Sequence, residues 1–323
     1  MKTLRTINYL MLVTSIILAT GCTSPENGGR NKKGELKGTI SISGAFALYP
    51  MVVKWAEEFQ KLNPQVRIDV SAGGAGKGMT DALSGMVNLG MVSREINPAE
   101  IDQGAWFIAV TKDAVLPTMS SQNPVRDEIL KTGFTKEIFK EIFLSGNTHT
   151  WGEFFGLPDQ NKINVYNRSD ACGAAEMWGK FLGKNQESIK GVGVFGDPGI
   201  AEAVKNDKYG IGFNNVIYAY DIKSRKKYEG LEIIPIDLNG NRVIDADENF
   251  YGSLDTIMLA IQTGRYPSPP ARDLYLVSKG KPTDPVITAF LEWILTDGQQ
   301  YVHEGGYVQL SDEKVKNEKL KLR

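Results

Sequence analysis

Three short stretches carry residue types suited to holding a small anion. The first is "SAGGAGKGMTD", Ser71 to Asp81, with glycines at 73, 74, 76 and 78 around Lys77. Glycine adopts positive φ and lets a ligand approach peptide N–H groups closely, and a helix starting there adds unpaired donors and a positive dipole end. "SGAFALYP" (Ser43 to Pro50) and "NRSDACGAAEMW" (Asn167 to Trp178) repeat the construction, small residues leading from a strand into a helix. The last also brings Arg168, a planar cation able to grip an oxyanion with two hydrogen bonds, and Asp170, able to hold that guanidinium in place. Arg94, in "MVSREI", is a second candidate cation. The glycine stretch is not a nucleotide loop: Gly78 follows Lys77 where Ser or Thr is needed, and Ser71 stands where the leading glycine would be. Taken singly, each feature has a plain structural alternative, a ligand-free turn for the glycines and a surface ion pair for either arginine.

Such loops need strands and helices to aim them, and the hydrophobic pattern supplies both. "LKGTISISGAF" alternates like a strand, and "YPMVVKWAEEFQKLNP" has apolar residues at helical spacing with Pro50 near its start. "VRIDV", the helix-like "GMTDALSGM" and the strand-like "VNLGMVS" complete a βαβαβ order, which implies a parallel sheet with its loops gathered at one end. "AWFIAVTKDAVLPTMS" predicts a strand leaving this unit, and residues 123–182 predict mostly helix, interrupted by the strand "INVYNRSD". "YGIGFNNVIYAYD" predicts a strand and helix, and "RDLYLVSKGK" with "VITAFLEWILTDGQQYVHEGGY" another pair that returns to the first unit.

The ends and the composition bound the setting. Lys2 and Arg5 precede an apolar run too short for a comfortable membrane span, which predicts a secretory signal over residues 1–21. Residues 22–37 are polar and glycine-rich, as in a flexible tether. The formal net charge is -1, which gives no basic field to draw the protein to nucleic acid. Cys22 and Cys172 are the only cysteines and His149 and His303 the only histidines, with no metal spacing among them. Cys172 near a helix start invites comparison with a nucleophile, but no base is placed beside it.

From about Leu36 to Leu310 the sequence resembles the phosphate-binding components of bacterial ABC uptake systems. The pieces that carry the resemblance are "SGAFALYPMVVKWAEEF", "SAGGAGKGMTDALSGMVNLGMVSREI", "RSDACGAAEMW" and "GIAEAVKNDKYGIGFNNVIYAY". It implies an α/β, two-lobed periplasmic binding-protein fold of type II. Its first lobe would be built from 38–116 and 226–323, and its second from 117–225. The resemblance also implies a non-enzymatic, monomeric receptor that presents inorganic phosphate to an ABC permease and needs no cofactor. Ligand contacts would come from Ala47, Leu48, Ala75, Gly76, Ser93, Arg94, Arg168, Asp170, Cys172, Gly173 and Ala174. "LATGC" before Cys22 resembles a bacterial lipobox, with Ala19 an unusual choice, so Cys22 is expected to carry lipid and anchor the chain to the outer side of a membrane.

The departures bear on the ion. Ala47, Ala75, Cys172 and Ala174 stand where the family usually offers Ser or Thr, and Ser93 where some members place an aspartate that accepts the proton of phosphate. At roughly 1 kcal/mol for each neutral hydrogen bond, losing three or four hydroxyl donors would weaken binding by about a hundred- to a thousandfold unless replaced. A different small oxyanion or carboxylate on the same fold is thus the alternative, and an exported phosphoester hydrolase a more remote one.

A second motif, "DLNGNRVIDADE", spaces Asp237, Asn239, Asn241, Asp245 and Glu248 like the ligands of a twelve-residue calcium loop. Arg242 occupies the position where such loops need glycine. A structural Ca2+ is one expectation; an acidic surface turn built on Asn239-Gly240 is the other.

Overall fold

The computed structural model describes residues 28–323. Its strands are β1 (Gly29–Arg30), β2 (Leu36–Gly44), β3 (Val66–Ala72), β4 (Leu89–Val92), β5 (Ala105–Ser120), β6 (Asn164–Arg168), β7 (Val192–Val194), β8 (Gly210–Asn215), β9 (Leu231–Ile233) and β10 (Ala271–Lys279). The 16-residue β5 is apolar almost throughout, so it can be buried along its length and serve two sheets. Its first part pairs antiparallel with β10, and its last part antiparallel with β8 and β9. Around the first part, β2 runs parallel to β3 and β4, while β10 is antiparallel to β4. Around the last part, β6 is parallel to β7 and β8. Each lobe thus has the expected parallel triplet, but the strands that join the lobes, β5 and β10, are antiparallel to their neighbours.

Two hydrophobic cores fill the lobes. The first includes Ile40, Trp55, Val110, Leu274 and Phe290, and the second Leu116, Phe139, Trp178, Phe213 and Ile257. Helix Tyr49–Leu62 shows how the pattern acts: Pro50 fits the first turn, and Met51, Val52, Trp55, Ala56 and Phe59 turn inward. The buried Trp55 indole donates to the Gly298 carbonyl at 2.8 Å, so its polar edge is satisfied.

Two boundaries differ from the sequence expectation. Residues 226–270 belong with the second lobe: β9 pairs with β5, and helix Leu254–Gln262 buries Leu254, Ile257, Met258 and Ile261 in the second core. Those apolar residues show only that the segment is buried, not on which core, and the return to the first lobe comes with β10. At the start, part of the predicted tether is a hairpin, with β1 paired to the beginning of β2 and the Gly28 amide bonded to Asp284. Cys22 and the predicted signal lie outside the described residues. Among the described residues, no helix is long and apolar enough to cross a membrane.

Candidate functional site

Three loops meet where the lobes touch. Gly44 ends β2 at φ +132°, and a Cβ there would lie 2.4 Å from the Met91 carbonyl oxygen and 2.7 Å from Gly78 Cα. A glycine is therefore required for the first two loops to pack together. Across the cleft, a Cβ on Gly173 would lie 2.1 Å from the Ser93 carbonyl oxygen, so the second lobe approaches the first backbone to backbone. The Gly76 amide donates to the Ala171 carbonyl at 3.0 Å, and Lys180 reaches Glu95 at 3.0 Å, both between lobes. The cleft is closed.

Several amides of the loops at this closure have no partner. Those of Phe46 and Ala47, of Ala75 opening helix Ala75–Ser84, and of Gly173 and Ala174 opening helix Gly173–Phe181 find no acceptor among the described residues. The first pair is held in orientation from behind: Tyr218 donates to the Phe46 carbonyl at 3.1 Å and Tyr307 to the Ala47 carbonyl at 2.7 Å. Free amides at two helix starts on opposite lobes form a donor set of the kind that accepts an anion.

Arg168, at the end of β6, is the charge at this place, with 1% of its side chain exposed. Asp170 takes Nε at 2.8 Å and Nη2 at 2.6 Å, and Asp197 takes Nη1 at 2.5 Å. Burial opposes the charge, but Asp197 and Asp170 outweigh it and hold the guanidinium firmly protonated. Asp197 is itself buried, and its other oxygen accepts from Asn215 Nδ2 at 2.6 Å. The Phe46 ring covers the guanidinium at 5.6 Å and meets Phe195 edge-on at 5.7 Å.

The predicted residues divide into those the site gathers and those it diverts. Ala47, Ala75, Ser93, Gly173 and Ala174 lie at the junction with Arg168, and Asp170 holds its guanidinium. Arg94 does not join them: Glu100, in the short helix Pro98–Asp102 that follows, holds its guanidinium at 2.6 and 2.9 Å. Lys77 likewise pairs with Asp81. The Leu48 amide is spent on the Ala45 carbonyl, and that of Gly76 on Ala171. Cys172 caps its helix, its sulfur accepting from the Ala175 amide at 3.4 Å. Burial pushes the thiol up to about 12, against the pull of Arg168, so it is no nucleophile at neutral pH. Asp197 and Phe46 were not among the predicted contacts. Asp197 had a signal, since "VGVFGDPGIAEAV" repeats the strand, turn and helix of the other loops; Phe46 lies inside a quoted loop, but its ring carried no signal of its own.

In the acidic loop, Arg242 has φ +62°, the left-handed conformation glycine favours. Asp237 and Glu248 are buried, and both accept backbone N–H groups of the loop. Asn239 and Asn241 turn their amide nitrogens onto Asp245. Among the described residues, no three His, Cys, Asp or Glu side chains are grouped as metal ligands.

A sequence model of the PBP superfamily domain matches residues 30–298. The chain belongs to the PBP superfamily. Within it, the chain is similar to the phosphate-binding protein PstS of Bacillus subtilis, 26% identical over 98% of this chain and 97% of the relative. It is also similar to PstS of Methanocaldococcus jannaschii, 25% identical over 98% and 94%. Among solved structures, a Clostridium perfringens protein with bound phosphate superposes with a TM-score of 0.68 at 19% identity, covering 85% of this chain and all of that one. The ABC-type phosphate transport receptor of Vibrio cholerae gives 0.61 at 18%, covering 84% and 100%. At these identities the structural likeness speaks for the two-lobed fold.

Proposed function

We propose that this PBP-superfamily chain is an extracytoplasmic receptor that captures inorganic phosphate and delivers it to an ABC permease. The observation that carries the reading is the meeting of unpaired amides from both lobes beside Arg168. Full-length similarity to proteins named for phosphate binding supports the choice of ion. The amides would hold the oxyanion through neutral hydrogen bonds and Arg168 through charge-assisted ones, while closure of the lobes removes water from it. The chain binds rather than catalyses in this reading, works as a monomer, and is held at the membrane by lipid on Cys22. Calorimetric titration of ligand-stripped protein with phosphate tests it. Micromolar or tighter binding that excess sulfate does not displace supports phosphate, and no binding by folded protein refutes it.

One observation favours a second reading of the ligand: Ala47, Ala75 and Ala174 bring methyl groups to places where hydroxyls would help hold phosphate. A phosphonate or small carboxylate that displaced phosphate in competition would establish it. The acidic loop is proposed as a weak structural calcium site, on the glycine-like backbone of Arg242 and the buried Asp237 and Glu248. A rise in melting temperature with millimolar calcium, reversed by chelator, is the expected result; an unchanged melting curve refutes it.

A further inference from the structure

The strands that join the lobes carry a second buried arginine that the site described so far does not use. Arg272, on β10, is the register partner of Asp113 on β5, next to Ala114, where β5 passes into the second core. Their side chains are 2% and 1% exposed, yet their closest approach is 3.6 Å, longer than a good charge-assisted hydrogen bond. Of the Arg272 nitrogens only Nη2 is bonded, to the side-chain oxygen of Asn215, and Nε and Nη1 have no acceptor.

That single bond leads into the anion site. Asn215 Nδ2 donates to Asp197 Oδ1 at 2.6 Å, and Asp197 Oδ2 accepts from Arg168 Nη1 at 2.5 Å. Arg272 also lies in the electrostatic field of Asp113 and Asp197. A buried guanidinium with idle N–H groups is unusual, because buried donors are normally satisfied. An oxyanion is a ligand that would satisfy it. The hydroxyls missing at Ala47, Ala75 and Ala174 leave room for a compensating donor, and Arg168 is already shared between two carboxylates.

We propose that Arg272 is a second cationic ligand of the captured oxyanion, donating through Nε and Nη1 from the floor of the cleft, directly or through one water. The proposal rests on the oxyanion-receptor reading.

The test uses the full chain in mild detergent, labelled with 15N-arginine, stripped of ligand and titrated with phosphate. The Arg272 Nε–H resonance, identified by its absence in Arg272→Lys, is expected to shift on phosphate saturation. Arg272→Gln is expected to weaken phosphate about tenfold to a hundredfold, with Arg272→Lys in between. An Arg272 signal that stays put while phosphate binds overturns the proposal, as does an Arg272→Gln affinity within about threefold of wild type. If Arg272→Gln does not fold, the wild-type resonance decides. Wild-type protein that binds sulfate but not phosphate, with Arg272 responding, keeps the proposal and refutes the choice of phosphate; wild type that binds neither overturns both.

Discussion

The first lobe meets the cleft with the loops of Ala47, Ala75 and Ser93, and the second with Arg168 clasped by Asp170 and Asp197. Cations near the first wall are taken up locally, Lys77 by Asp81 and Arg94 by Glu100. That wall offers peptide N–H groups and methyls, while the second adds a fixed buried charge to its own helix start. A receptor built this way separates two tasks. In the proposed reading the charged wall would attract and orient the ion, and the neutral wall would close over it without a further charge to desolvate.

The largest effect is expected from Arg168→Ala, which removes the charged wall and leaves Asp170 and Asp197 buried without their cation. Denaturant unfolding should show a loss of about 3–5 kcal/mol, and calorimetry a phosphate affinity lower by at least about tenfold. A stable variant that still binds like wild type would erase the distinction between the walls.

Asp113, on the strand that joins the walls, gives a pH test. Burial pushes its carboxyl up to about 6, against the attraction of Arg272. Between about pH 4 and pH 6 the folded chain therefore holds a proton that the unfolded chain has released, so this group's contribution to stability falls as pH rises through that window. The full loss, present above about pH 6, is at most about 3 kcal/mol. Asp113→Asn should accordingly gain on wild type by up to that amount from pH 4 to pH 7 in denaturant titrations; parallel stability curves would contradict the assignment.

Gly173→Ala probes the contact between the walls. Its new methyl would collide with the Ser93 carbonyl in the closed form, at a cost of about 1–3 kcal/mol, while each core stays intact. X-ray scattering should then find less compaction on adding phosphate, with an unchanged melting temperature. The smallest effect is a gain: Ala47→Ser or Ala75→Ser gives the neutral wall a hydroxyl, worth roughly 1 kcal/mol, or about fivefold in phosphate affinity. Weaker binding instead would mean that the methyl groups fit a bulkier anion.

Much of this architecture was legible because it rests on local pattern. The helical spacing of Val52, Trp55 and Phe59, the strand of Ile40 and Ile42 and the glycines before Lys77 are properties of neighbouring residues. The loop carrying Arg168 and Asp170 was visible for the same reason. What sequence could not supply was the partner in space. Arg94 and Arg168 look equally available in a linear reading, yet Glu100, six residues on, holds the Arg94 guanidinium, while Arg168 is buried beside Asp170 and Asp197. Asp197 and Arg272 come from segments 29 and 104 residues beyond Arg168, and they join it only when β6, the helix Gly196–Asn206, β8 and β10 are assembled. The lobe assignment of residues 226–270 failed for that reason too, since it turns on β9 pairing with the far end of β5.

The most direct test of the central claim is the amide spectrum of 15N-labelled protein with and without phosphate. The amides of Phe46, Ala47 and Ala75 on one wall and of Gly173 and Ala174 on the other should all shift downfield together, at one ion per chain. Tight binding that moves the amides of only one wall, or of neither, would contradict capture between them.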